Sequence, residues 1–165
     1  MPHVPRQFSK WFAAFLLVAA VAVAACDHGF EPPNEPTTGT IVADIQYVGH
    51  PDAWPPESEL RELLFIAMRF VPRDTSDFLQ LNRIVFSDRL AFRVAGERVV
   101  LSDVPTGPYP YAGVAQKFGG DPFDWRPVGL VEDDGGMFVV TARETTFVTV
   151  EVDFVHPPDF PPDVP

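Results

Sequence analysis

A single cysteine, Cys26, serves the whole 165-residue chain. It cannot form an intrachain disulfide, so whatever body the chain folds must be held by its core alone. Histidine is scarce as well. The three that follow the first 25 residues, His28, His50 and His156, are spread too widely for a zinc-ligand spacing. There is no Gly-x-Ser-x-Gly elbow to present a nucleophilic serine and no glycine-rich phosphate loop. Paired carboxylates for glycoside hydrolysis occur in any chain this acidic and discriminate nothing. The uncharged run from Trp11 to Ala25 is fifteen residues long, short of the roughly 20 that a membrane-spanning helix needs. Basic residues number 12 against 23 acidic ones, a formal net charge of −11. That surface repels nucleic acid and anionic headgroups. Together these shortages argue against an enzyme.

The other end of the balance lies in the first segment. Residues 1–25 carry Arg6 and Lys10, no acid, then an apolar stretch closing on Val23-Ala24-Ala25 before Cys26. A positive start, a short apolar run and small residues before a cut site make a secretory signal. One outcome is cleavage after Ala25 that leaves a free thiol, a group that exported proteins seldom keep unpaired. The same residues resemble the bacterial lipoprotein signal, with Val23 where leucine is commonest. That resemblance implies that Cys26 becomes the first mature residue and is acylated, which places the protein on the periplasmic or cell-surface face of a bacterial membrane. Two or three acyl chains at about 0.8 kcal/mol per buried methylene anchor a protein almost permanently. Removing residues 1–25 takes away two basic residues and no acid, so the mature charge becomes −13.

The remainder divides into a tether at 26–38, a body at 39–155 and a proline-rich tail at 156–165, the last expected to be extended and largely disordered. Within the body the hydrophobic pattern has period two. Ile41, Ala43, Ile45 and Tyr47 share one face of Thr40–Val48; Thr146, Val148, Val150, Val152 and Phe154 share one face of Thr146–Val155. Shorter strands are predicted at 84–86, 90–94, 98–102, 109–118, 128–132 and 137–141. Turn residues separate them at 95–97, 105–108, 119–122 and 133–136. The run SELRELLFIAMRFV (58–71) fits a helical stripe or a strand buried on both faces. The helix leaves Phe65, Ile66 and Phe70 stranded, so a central strand at 62–71 is preferred, after a helical turn at 57–61. A short helix near 57–64 is the alternative.

VVLSDVPTGPYPYAGVAQ (99–116) resembles the strand, L-x-x-[VLI]-P-x-G-x-Y, strand signature of prealbumin-like sandwiches, which include carboxypeptidase-regulatory-like domains. Leu101, Val104, Pro105, Gly107 and Tyr109 occupy the pattern. The T-D-x-x-G-x-F element that precedes this turn in the family is missing. The expectation is an all-β, antiparallel, Ig-like or prealbumin-like sandwich of about seven strands. That architecture serves spacing, adhesion and binding alike.

Two groups of residues are candidates for a ligand. Trp54 and Trp125 lie in proline-rich loops, and with Tyr109 and Tyr111 they offer rings for stacking on glycans. The alternative is that each tryptophan plugs an end of the sandwich. Asp121, Asp124, Asp133 and Asp134, with Glu132, could supply hard oxygens for Ca²⁺, although solvated turn acids are the default explanation. The functional expectation is a lipid-anchored envelope module without enzymatic activity, whose partners are the membrane through its anchor and envelope proteins or glycans.

Overall fold

Strict alternation at 146–154 makes the last strand the natural starting point, because four apolar side chains and one threonine share a face, and the apolar ones must find the same core. In a computed structural model, which describes residues 37–132 and 136–162, this segment is the ninth strand among the described residues. The strands are β1 (Thr38–Tyr47), β2 (Glu62–Met68), β3 (Ile84–Phe86), β4 (Gly96–Pro105), β5 (Gly107–Tyr109), β6 (Tyr111–Lys117), β7 (Trp125–Leu130), β8 (Phe138–Val140) and β9 (Thr145–Val152). They form a sheet in the order β4-β1-β9, a sheet in the order β3-β2-β6-β7, and a β5-β8 pair. The protein is an all-β sandwich. Every pairing between strands is antiparallel except β1–β9, which runs parallel with Ile45 opposite Val150.

The core lies between the two larger sheets. Ile41, Ala43 and Ile45 of β1 and Val148, Val150 and Val152 of β9 meet Leu63, Phe65 and Ala67 of β2 and Ala112 and Val114 of β6. Leu63, Phe65 and Ile45 are fully buried. The sheets are sewn together along one side. Val131 bridges Val150, and the Asp153 amide donates to the Val128 carbonyl at 2.9 Å. Glycine makes this seam fit. A Cβ on Gly113 would stand 2.1 Å from the Gly129 carbonyl oxygen, and one on Gly129 would stand 2.3 Å from that of Glu151. Along the other side the β3–β4 connection covers the gap, with the Ser87 and Leu90 amides donating to the Phe65 and Leu63 carbonyls, both at 2.9 Å.

The ambiguous run at 58–71 resolves as the hydrophobic count demands. A single 3-10 turn at Glu57–Glu59 follows Pro55-Pro56, and β2 then runs on as an interior strand with core on one face and a second apolar cluster on the other. Three expectations need correction. Residues 90–94 are not a strand: Arg93 has φ 59, a left-handed conformation that breaks an extended run, although Leu90 is buried as a strand residue would be. The turn expected at 95–97 is already strand, because β4 starts at Gly96. The long strand at 109–118 is two, broken at Pro110, which has no N–H to give. The turn expected at 105–108 narrows to Thr106, between β4 and β5, where Gly107 takes φ 128, Val104 and Tyr109 are buried, and Tyr109 Oη donates to the Pro105 carbonyl at 2.8 Å.

Phe160 packs on the second cluster, its ring 5.3 Å from that of Phe78, so the chain is held well past β9. Asp153 fixes the exit from β9 by accepting the Val155 and His156 amides at 2.8 and 3.0 Å. These bonds, with His156 beside it, hold its carboxyl below the usual range.

Candidate functional site

The second cluster sits on the outer face of the four-stranded sheet, where a sandwich ordinarily presents polar residues to water. Here Leu64, Ile66 and Met68 of β2, Tyr111 and Ala115 of β6, and Ile84 and Phe86 of β3 make that face apolar. It needs a cover, and residues 75–83 provide part of one. This arm winds as two 3-10 turns, Thr75–Leu79 and Leu81–Arg83, and the Asp74 carboxylate starts it by accepting the Ser76 amide at 2.8 Å. In a 3-10 helix, side chains three apart eclipse. Phe78, Leu81 and Ile84 therefore fall in one row, and Asp77, Gln80 and Arg83 in the next. Phe78 of the apolar row packs with Ile84 of β3 in the second cluster, while Leu81 stays largely exposed.

The cover is incomplete. Phe78 is 8% exposed, but Leu79, Leu81 and Phe86 remain 44%, 62% and 48% exposed. Between the arm on one side and Trp125 on the other runs a groove of about 160 Å³, floored by Leu64, Ile66 and Ala115. Its lining is overwhelmingly apolar. Lys117 Nζ lies 5.8 Å from the centroid of the Trp125 ring. Among the described residues that line this groove none is titratable or nucleophilic, and all offer apolar contact.

The residues singled out for ligands go to different places. Trp125 is the one that reaches the groove. Trp54 does not offer a face to solvent: it is 9% exposed, its ring centroid is 4.7 Å from Tyr47 and 4.9 Å from Phe154, and Nε1 donates to His50 Nδ1 at 3.2 Å. It plugs the end of the sandwich. Tyr109 and Tyr111 are buried at 0% and 5% exposure. The Arg69 guanidinium lies 5.6 Å from the Tyr109 ring centroid, and burial raises that phenol's pKa above its ordinary value although Arg69 opposes the change. A four-ring sugar platform is therefore excluded, because three of the rings are inside the protein.

The calcium candidates fare similarly. Asp124 accepts the Asp121 amide at 2.7 Å and Asp121 accepts the Phe123 amide at 3.0 Å. These carboxylates tie the 119–124 loop to itself. Asp133 and Asp134 lie outside the described residues. Among the described residues no three His, Cys, Asp or Glu side chains gather as metal ligands. No helix among them is long and apolar enough to cross a membrane. Cys26 lies outside the described residues.

Period-two and period-3.6 templates both pass over DFLQLNRI (77–84), which builds the groove wall. A period of three puts Asp77, Gln80 and Arg83 in one row and Phe78, Leu81 and Ile84 in another, with Leu79 and Asn82 in a mixed third, and was the signal to find. No family model matches the chain, and no curated protein and no solved structure shows significant similarity to it.

Proposed function

We propose that the protein is an exported β-sandwich lipoprotein, anchored to a bacterial membrane through acylated Cys26 and acting in the cell envelope as a non-enzymatic accessory, structural or protein-binding module. The observation that carries this reading is the junction Val23-Ala24-Ala25-Cys26, where a basic and then apolar segment stops at the chain's one cysteine. The body supports it from the other side. It folds without disulfides, and its outer sheet face carries an apolar groove with no titratable lining, a surface suited to docking rather than to chemistry.

Mass spectrometry of the protein from its host tests the anchor. The expected mature form begins at Cys26 and carries acyl chains, and Cys26→Ser moves it from the membrane to the soluble fraction. An unmodified thiol at position 26, or a mature chain starting elsewhere, overturns the proposal.

A further inference from the structure

The polar row of the arm builds a second concavity, independent of the groove and of the lipid anchor. Backbone bonds step along the arm at intervals of three, from the Asp77 amide to the Asp74 carbonyl, from Gln80 to Asp77 and from Arg83 to Gln80, at 3.1, 3.1 and 2.9 Å. The eclipsed side chains repeat the pattern. Asp77 Oδ2 accepts the Arg73 amide at 2.7 Å, Asp77 Oδ1 accepts from Gln80 Nε2, and Gln80 Oε1 accepts from Arg83 Nη1 at 3.0 Å. Arg83 is clamped from beneath as well, with its guanidinium carbon 4.1 Å from the centroid of the Phe70 ring. A cleft of about 360 Å³ opens here, lined by Phe70, Val71, Arg73, Asp77, Gln80 and Arg83.

Its electrostatics run against those of the molecule. The chain carries a formal charge of −11, yet this lining holds two arginines and one acid. Both oxygens of that acid are engaged by uncharged donors. Among the described residues neither Arg73 nor Arg83 forms a salt bridge. A guanidinium has five N–H donors in a planar fork, and Gln80 takes one of Arg83's. An arginine whose guanidinium carbon lies over an aromatic ring, with donors to spare, is suited to a carboxylate. Phe70 and Val71 beside it are suited to an apolar body.

We propose that this cleft binds small organic carboxylates, the anionic end on Arg83 and Arg73 and the apolar body against Phe70 and Val71. Benzoate is the probe, titrated into the full chain while the arginine Nε–Hε resonances are followed by NMR. Saturable movement of the Arg83 signal with a millimolar dissociation constant is expected. Benzyl alcohol, the same body without the charge, should leave that signal in place, and inorganic phosphate should bind more weakly than benzoate. Arg83→Gln should weaken benzoate at least tenfold. Arg83→Lys should do nearly as much harm, because an ammonium keeps the charge and loses the fork. If Arg83→Gln fails to fold, Arg73→Gln carries the same expectation of weaker binding. The proposal is overturned by a non-saturable response to benzoate, by equal responses to benzoate and benzyl alcohol, by phosphate binding as tightly as benzoate, or by undiminished binding in the glutamine variants.

Discussion

Tyr111 holds a phenol where no partner receives it: its oxygen is buried and makes no hydrogen bond, in a side chain 5% exposed. Burial alone drives its pKa far above the ordinary tyrosine value. A buried polar group without a partner costs about 1–3 kcal/mol, whereas an apolar replacement of the same shape avoids that cost. Tyr111→Phe should therefore raise the unfolding free energy by about 1 kcal/mol, read from chemical denaturation with an unchanged m-value. A loss of stability would show that the hydroxyl is bonded after all. Phe65 has the opposite balance. It is fully buried between the sheets, and Phe65→Ala should cost about 3–5 kcal/mol in the same measurement.

Among the elements, the β6–β7–β9 seam depends on two glycines, Gly113 and Gly129. Gly129 leaves β7 room to lie against the Glu151 carbonyl, with its would-be Cβ at 2.3 Å from that oxygen. Backbone cannot give way as a flexible side chain can, so Gly129→Ala should destabilise by about 3 kcal/mol. Gly120 has nothing within 4 Å of its would-be Cβ, and Gly120→Ala should change stability by less than about 0.5 kcal/mol. Equal melting temperatures for the two variants would contradict this account of the seam. The seam also marks how far the pattern could be read from the chain. Strands β1 and β9 announce themselves because alternation in a half-buried strand is a local property. That β9 returns beside β1 in parallel is not local, and no spacing encodes it. At the candidate site, Trp125 stood out as an aromatic residue but opens β7 instead of lying in the loop expected for it, and burial of Trp54, Tyr109 and Tyr111 depends on which loops fold over them. The arm at 75–83 was missed because its period of three falls between the strand and helix templates.

At the scale of the whole molecule, the chain's three tyrosines act together. Tyr47, Tyr109 and Tyr111 are all at most 5% exposed, and burial raises the pKa of each. For Tyr47 the effect is reinforced by Glu97, whose carboxylate accepts its hydroxyl at 3.0 Å and would repel a phenolate. The sign follows from linkage. A group whose pKa is raised on folding keeps its proton longer in the native state, so the stability it confers is fully present below the unfolded value, about 10. As pH climbs past that value the unfolded chain releases protons that the folded one retains, and unfolding gains about 1.4 kcal/mol per pH unit for each tyrosine still protonated. With no disulfide to resist, the sandwich should open cooperatively in alkali. Tyrosinate absorbance at 295 nm (an ordinary ultraviolet reading) and loss of the β-sheet circular dichroism signal should rise together above pH 10. Replacing Tyr47 or Tyr111 by Phe should make the transition shallower and move it to higher pH. Tyrosinate appearing near the ordinary pKa while the β signal stays intact would show that these phenols are open to solvent and that the interior described here is wrong.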